Sequence, residues 1–542
     1  MPDPGASLGR AVTTLRVLAA SGVISPVRPD RLVSMAVALH RWGMSPATLV
    51  GVAAARSPDA VAVVDDAGVV TYADLDRRSN AVADGLLDLG LRERDSVALL
   101  ARNSRQFLVA LAAVSKIGAD LIYLNTGFGA REIADVVRGE GVKAVIADEE
   151  FEQRVGDGAP GLPHVLAWTD AARDDVRTLD GLAGGPPSPP PSPRHVSRHV
   201  ILTSGTTGTP KGAPREAPGP LAGAEMMIAL VGAIPLRARQ PTVLAAPMFH
   251  TWGLANLLVG LALQSSFVVR RRFDPQTTIA LLGEQSATAL IAVPVMLQRI
   301  MELPGDVRRR YPTPDVRVVA LSGSAVPASI AERFMDEYGD VVYNLYGSTE
   351  VSYISVATPK DLREAPGTSG RPLHGVTLRI LDDGGAPLPA GATGRIFARS
   401  ALTFEGYSGG QDKERIDGLV STGDLGHLDE AGRLFIDGRD DDMIVSGGEN
   451  VYPREVEEAL LHHPAVADAA VVGVPDERFG QALVAHVVPG AGGADPEELR
   501  EYLKGRLATY KVPREVVLHD SLPRNETGKV VPGALGACDR RA

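Results

Sequence analysis

An apolar strand that runs directly into a loop of glycines, hydroxyls and one lysine can be accommodated by few folds. Residues 199–203 (HVILT) read as a buried strand, and the run Thr203-Ser204-Gly205-Thr206-Thr207-Gly208-Thr209-Pro210-Lys211-Gly212 continues from it. Glycine lets the backbone turn tightly and brings N–H groups close to an anion. The threonine and serine hydroxyls add donors, and Lys211 adds a positive charge. Such a loop is suited to cradling the β and γ phosphates of ATP. It is not a Walker A loop, which needs glycine directly before the lysine, where this chain has Pro210.

The flanking pattern points to an α/β fold. Residues 61–64 are strand-like, and 72–89 predict a helix with Thr71 as its N-cap. Strand, helix and strand patterns follow at 96–101, 106–117 and 120–124. This alternation predicts a largely parallel sheet. The proline-rich stretch 184–194 (GGPPSPPPSPR) cannot enter a sheet interior and reads as an exposed linker. Beyond about Asp440 the pattern restarts, with helices at 456–462 and 497–507 and strands at 469–474 and 482–488, which suggests a small C-terminal α+β domain. Residues 1–50 read as two short amphipathic helices, one carrying Leu15, Leu18 and Ala19, the other Leu32, Ala36, Val37 and Leu39. They are expected to pack as an extension, and they leave room for weak peripheral membrane association.

A chain of 542 residues exceeds one hydrophobic core, so several domains are expected. A net charge of -11 argues against a nucleic-acid partner, which needs a basic face. The one cysteine, Cys538, cannot form an intramolecular disulfide, in keeping with a cytoplasmic location, and leaves no thiolate set for structural zinc. No signal peptide is expected, because Arg16 interrupts the apolar stretch after Arg10. The apolar run 251–269 contains Asn256, Gln264, Ser265 and Ser266, and is read as a buried helix plus strand instead of a membrane span.

The phosphate loop resembles that of the acyl-adenylate-forming superfamily, which includes acyl-CoA synthetases, peptide-synthetase adenylation domains and firefly luciferase. Further segments resemble the family's motifs in order. Pro247-Met248-Phe249-His250 resembles the segment beside the carboxylate site, and Ser322-Gly323-Ser324-Ala325-Val326-Pro327 the adenine-binding turn. Asn344-Leu345-Tyr346-Gly347-Ser348-Thr349-Glu350 resembles the adenine and metal segment, and Ser421-Thr422-Gly423-Asp424 the ribose-binding strand end. Gly438-Arg439-Asp440-Asp441 resembles the hinge, and Pro523-Arg524-Asn525-Glu526-Thr527-Gly528-Lys529 the C-terminal lysine loop. The likeness runs from about residue 50 to about residue 530.

Beyond the helical extension (1–50), the resemblance implies a large domain of parallel α/β sheets with a distorted β-barrel (51–438) and a small mobile α+β lid (439–542). It implies two half-reactions: a carboxylic acid and ATP give acyl-AMP and pyrophosphate, then CoA gives the acyl-CoA and AMP. Glu350 is expected to bind Mg²⁺ and Lys529 to bridge the carboxylate and the α-phosphate. Tyr346 is expected to stack on adenine, with Asp424 and Arg439 on the ribose. His250 is placed equally well at the carboxylate site or as a packed core residue. Asp441 would be the hinge, and Gly447-Gly448-Glu449 the loop that meets CoA. The overall likeness to bacterial fatty-acid–CoA ligases suggests a fatty acid; an aryl acid, a carrier-protein acceptor or an inactive AMP-binding module are the alternatives, and the oligomeric state is open.

This chain departs from the family pattern at Val445, where many members carry lysine, and at Val531-Pro532, which replace basic residues. Three patterns are set aside. Asn525-Glu526-Thr527 is a glycosylation sequon inside the lysine loop, and Gly139-Glu140-Gly141 precedes a strand instead of following one. His462-His463 are adjacent on a helix and point apart, which suits a solvated helix end better than a metal site.

Overall fold

The computed structural model describes residues 17–23, 26–184, 189–204, 210–213, 220–348, 350–404, 406, 413–439, 444–446, 449–476, 480–490, 492–525 and 528–537. The chain divides into two compact units: Met1–Ala320 with Thr349–Ser352 and Ser400–Asp412, and Leu321–Ser348 with Tyr353–Arg399 and Lys413–Ala542.

The first unit is the α/β body. Its strands are β1 (Val61–Asp65), β2 (Gly68–Thr71), β3 (Ser96–Leu100), β4 (Asp120–Tyr123), β5 (Val142–Ala147), β6 (His164–Leu166), β7 (His199–Ser204), β8 (Pro210–Ala213), β9 (Pro241–Leu244), β10 (Ser266–Val268), β11 (Ala289–Ala292) and β12 (Val318–Leu321). One sheet runs β6-β5-β3-β4-β7-β8, parallel throughout except for the β7–β8 hairpin. In the other, β11, β9, β10 and β1 are parallel and β2 pairs antiparallel at the edge. Strands covered on both faces need apolar side chains throughout, and all four residues of β4 and of β11 are buried.

The helix Tyr72–Asp88 starts where Thr71 and Asp74 form a reciprocal capping box. Helix Arg105–Lys116 is buried along its whole length, charged ends included. Arg105 forks onto the buried Asp65 carboxylate. Lys116 donates to Asp76 Oδ1, Ser79 Oγ and Asn80 Oδ1, each at 2.7 Å. Burial pulls the Lys116 ammonium below its ordinary pKa, and Asp76 opposes that.

The extension differs from its expected packing. Helix Pro29–Trp42 turns Ala38 and Trp42 inward, and Trp42 closes over Gly51 of helix Pro46–Arg56. The residues expected inside point out: Leu32, Val37 and Leu39 are about half exposed, and Ala36 is also exposed. The first expected helix falls largely outside the described residues, although 17–20 are helical. Within the linker, Pro190 is buried and its carbonyl accepts a hydrogen bond from Arg41. The run 251–269 forms helix Thr251–Leu263 and β10, and no helix among the described residues is long and apolar enough to cross a membrane.

The second unit holds β13 (Val342–Ser348), β14 (Ser352–Ala357) and β15 (Arg371–Pro372) side by side. A five-stranded antiparallel sheet follows: β16 (Thr377–Leu381), β17 (Gly394–Arg399), β18 (Arg415–Ile416), β19 (Leu419–Leu428) and β20 (Leu434–Arg439). Bulges at Arg395/Phe397 and Leu425/Gly426 twist it, giving the curled sheet expected as a distorted barrel. The C-terminal sheet comprises β21 (Ile444–Ser446), β22 (Glu449–Val451), β23 (Val466–Asp476), β24 (Gly480–Pro489) and β25 (Glu515–Leu518). Helices Pro453–Leu461 and Pro496–Lys504 cover it, burying Val456, Leu460, Leu499 and Leu503 against Val471, Leu483 and Ala485.

Candidate active site

The phosphate-loop candidate leaves the carboxyl end of a parallel strand, where open α/β sheets bind ligands. Strand β7 pairs with β4 in register Leu121↔His199 to Tyr123↔Ile201. It returns as β8 with Thr203↔Lys211 and Ser204↔Pro210 opposite each other. Gly205, Thr206, Thr207, Gly208 and Thr209 therefore form the connection, and themselves lie outside the described residues. The base of β7 is firmly fixed. Asp120 accepts from Arg198 Nε and Nη2 at 2.8 and 2.6 Å, and the Tyr123 hydroxyl meets His199 Nδ1 at 2.7 Å. Burial lowers the His199 imidazole to about 4.

The segment Pro247–His250 is held by a residue that sequence reasoning missed. Asn103, beyond the end of β3, is buried and donates to the Leu244 and Ala246 carbonyls at 3.2 and 2.9 Å. Its Oδ1 accepts from Met248 N–H at 2.8 Å. These partners lie more than 140 residues away, so no local pattern announces them. Half-buried His250 occupies the N-cap position of helix Thr251–Leu263 without a side-chain cap bond. Gly253 touches the back of the same turn. Nine residues of this helix are buried, so it is core along most of its length.

Glu350 is 8% exposed and belongs to the first unit. Its carbonyl accepts from Phe404 N–H at 2.7 Å, and the next carbonyl, Val351, accepts from Ser400 Oγ at 2.5 Å. Thr349 lies outside the described residues. Among the described residues, no group of three or more His, Cys, Asp or Glu side chains is placed to hold a metal.

The second unit brings four candidates together. Asn344 and Tyr346 stand two apart on β13 and so share one face, with Leu345 buried between them. The Asn344 amide is buried, and its Oδ1 has no hydrogen-bond partner among the described residues. Half-buried Tyr346 packs against the Ile380, Ile396 and Leu434 cluster, and its hydroxyl donates to Asp424 Oδ2 at 2.6 Å. Burial, and then the neighbouring Asp424 carboxylate, holds the Tyr346 phenol well above its ordinary pKa. Asp424 lies opposite Arg439 in the β19–β20 register. The turn before it needs glycine: Gly423 has φ +78°, and a Cβ there would sit 3.3 Å from Lys413 Nζ and 3.5 Å from Arg439 Nη2. Two cations thus flank this end of β19. Gly347 and Ser348 finish β13, and half-buried Ser324 and exposed Ala325 lie in the turn that Gly323 (φ +101°) opens.

In the C-terminal sheet, Ser446↔Glu449 pairing leaves Gly447 and Gly448 as a two-residue connection. Those glycines and Asp441 lie outside the described residues. Lys529 is exposed and follows Gly528, whose φ of +83° suits glycine. Asn525 N–H donates to the Lys529 carbonyl at 2.8 Å, and Lys529 N–H to Asn525 Oδ1 at 2.9 Å. The Asn525 amide therefore serves the loop itself. His462 is an exposed helix end, and His463 packs edge-on against Tyr502. Gly141 directly precedes β5.

Residues 51–408 match the model of the AMP-binding enzyme family, and residues 455–529 match that of its C-terminal domain. The chain belongs to the AMP-binding enzyme family. This AMP-binding enzyme is 32% identical over 492 residues to a feruloyl-CoA synthase from an Amycolatopsis species, covering 89% of this chain and 96% of the relative. It is 30% identical over 501 residues to the fatty acid–[acyl-carrier-protein] ligase ScoC of Streptomyces coeruleorubidus, covering 88% and 93%. It resembles the structure of o-succinylbenzoate CoA synthetase (MenE) from Bacillus subtilis in complex with the acyl-adenylate intermediate OSB-AMP, with a TM-score of 0.77, 26% identity, and coverage of 91% and 98%.

Proposed function

We propose that this AMP-binding enzyme is an ATP-dependent acid–CoA ligase that works through an acyl-adenylate. The observation that carries the reading is the cluster on β13 and β19. The unpartnered Asn344 Oδ1 is an acceptor suited to the adenine amino group, and a buried acceptor left unpaired costs about 1–3 kcal/mol. Tyr346 offers a flat ring beside it. Asp424 has lone pairs for both ribose hydroxyls, and Arg439 stands opposite.

The first half-reaction brings a carboxylate against an anionic α-phosphate, so the site must neutralise charge. Ser204, Lys211 and the loop between them would hold the β and γ phosphates. Lys529 would bridge carboxylate and α-phosphate. Glu350, a single buried carboxylate, fits Mg²⁺, which takes one or two carboxylates plus substrate phosphates. Bound there, the ion would offset charge on the phosphates. Pyrophosphate leaves, and the CoA thiol then attacks the acyl carbon and expels AMP. In this reading residues 439–542 form the lid with its hinge at Asp441, and Gly447-Gly448-Glu449 meet the pantetheine arm, where small residues allow close backbone approach.

We infer that the acid is aryl or fatty. The feruloyl-CoA relative favours an aryl acid and the ScoC relative a fatty acid. Helix Thr251–Leu263 packs as core along most of its length and so favours neither acid. The half-exposed Leu32, Val37 and Leu39 support weak peripheral contact with a lipid surface. A pyrophosphate-release assay with ATP, Mg²⁺ and a panel of aryl and alkyl acids tests the first half, and adding CoA tests the second. Release without any CoA thioester would transfer the reading to a carrier-protein acceptor. No release with any acid would end it.

A further inference from the structure

The lysine loop is tied to its sheet in two ways. Its flanks are apolar: Leu522 and Val530 pack with Ala470, Leu535, Val472 and Val488. At its tip Arg524 ties the loop to the sheet, beside Asn525 Oδ1, which holds the Lys529 N–H within the loop. Arg524 Nη1 donates to the Gly528 carbonyl at 2.6 Å, while Nη2 donates to both oxygens of Asp468 at 2.7 Å. Asp468 belongs to β23, where it pairs with Val488, and its Oδ1 also accepts from Ala469 N–H at 2.9 Å.

Two facts make this bridge more than a surface ion pair. The side chains of Arg524 and Asp468 are only 19% and 15% exposed, so solvent screens them weakly. The carbonyl that Arg524 holds belongs to the peptide bond leading into Lys529. Arg524 on the carbonyl and Asn525 Oδ1 on the N–H hold that one peptide group from both sides, which places the Cα from which the Lys529 side chain leaves the loop, and Arg524 is the link that ties it to the sheet. Next to the pair, Glu457 accepts from Val471 N–H at 2.8 Å, which binds helix Pro453–Leu461 to the same strand.

We propose that Arg524, clamped by Asp468, is a positioning residue that orients Lys529 for the adenylation step. It is not a catalytic residue, since its guanidinium is spent on the protein. The proposal rests on Lys529 acting in adenylation, as argued above. A group needed in only one half-reaction should, when misdirected, slow that half alone. Because the apolar flanks remain, removing Arg524 loosens the tip without detaching the loop.

The test compares Arg524→Gln, Arg524→Lys, Asp468→Asn and Lys529→Ala in the full chain, using the acid most active in the panel. Adenylation is read by pyrophosphate release, and thioester formation by supplying that acid's synthetic acyl-adenylate with CoA. Arg524→Gln is expected to lower the adenylation kcat about 10- to 100-fold, the scale of a misplacement near 1 Å. The KM for ATP should stay within about threefold, because uniform binding is untouched. Thioester formation from supplied acyl-adenylate should be preserved, while the unfolding midpoint falls modestly because Asp468 loses its partner. Arg524→Lys and Asp468→Asn should fall between this variant and the parent, since a lysine cannot form the planar fork. Unchanged adenylation in Arg524→Gln, or equal loss in both half-reactions, overturns the proposal. Full adenylation by Lys529→Ala would instead overturn the reading of Lys529 itself, and with it the reason for orienting that residue.

Discussion

Replacing Asp424 isolates the ribose end of the proposed site. Its carboxylate receives the Tyr346 hydroxyl at 2.6 Å, and Lys413 and Arg439 flank the Gly423 turn. Hydrogen bonds to a charged group are worth about 1.5–3 kcal/mol each. If Asp424 accepts both ribose hydroxyls, Asp424→Ala loses about 3–6 kcal/mol of nucleotide binding. At 1.4 kcal/mol per tenfold, AMP should bind roughly 10²- to 10⁴-fold more weakly. Asp424→Asn keeps one acceptor oxygen and should lose about half of that free energy. Tyr346→Phe removes only the bond that orients the carboxylate, about 1 kcal/mol or roughly fivefold. Because the hydroxyl acts through Asp424, Tyr346→Phe should add little to Asp424→Ala, and this non-additivity is the sharper test. Calorimetric titration with AMP and 2′-deoxy-AMP measures all of this. The parent should favour AMP, and Asp424→Ala should bind the two alike. Binding of AMP by Asp424→Ala within threefold of the parent, or strict additivity of the two substitutions, would refute the reasoning.

Three further outcomes follow from buried contacts. Asp65→Asn leaves the 9% exposed Arg105 side chain without its counter-charge, so the first unit should lose about 3–5 kcal/mol in denaturant unfolding, and a loss below 1 kcal/mol would contradict the pairing. In Gly253→Ala the new Cβ would lie 2.0 Å from the Pro247 carbonyl oxygen, so the turn carrying His250 must move; stability should fall by about 1–3 kcal/mol and kcat/KM for the acid should fall more than the affinity for AMP. Burial raises the Glu457 carboxyl from 4.5 to about 7. The folded chain therefore holds that proton more tightly than the unfolded chain, and stability drains away as pH rises from about 4.5 to about 7. Glu457→Gln should match the parent near pH 5 and melt higher at pH 8, and a melting difference independent of pH would refute the assignment.

What the sequence disclosed and what it hid separate along physical lines. Period-two and helical patterns located β1, β3, β4 and β7, and Thr71 as a cap, because local dihedral preference and burial agree there. The motif order located the family because backbone turns at phosphates demand particular residue types. Patterns fail when a contact joins distant residues. Asn103 with Met248, and Asp468 with Arg524, are single polar side chains 145 and 56 residues from their partners, and nothing periodic marks them. The extension fails for another reason. Helix Pro29–Trp42 carries two apolar stripes, and the sequence favoured Leu32, Ala36, Val37 and Leu39. The decisive partner is Gly51, whose missing side chain admits the Trp42 ring and selects the Ala38–Trp42 stripe instead.

The distribution of constraints matches the chemistry proposed. In that chemistry adenine, ribose and the α-phosphate keep their places through both half-reactions, while the β and γ phosphates leave as pyrophosphate. The candidate partners of adenine and ribose stand on strands whose registers fix them: Asn344 and Tyr346 on β13, and Asp424 opposite Arg439. The lysine has a different task. Once the acyl-adenylate has formed, a cation between carboxyl and phosphate would stand where the thiol must come. A residue with that task belongs on a loop, and Lys529 follows a left-handed glycine at a tip that Arg524 ties to the sheet. Weakening that arginine should therefore separate the two half-reactions, whereas weakening a strand position such as Asp424 should impair both.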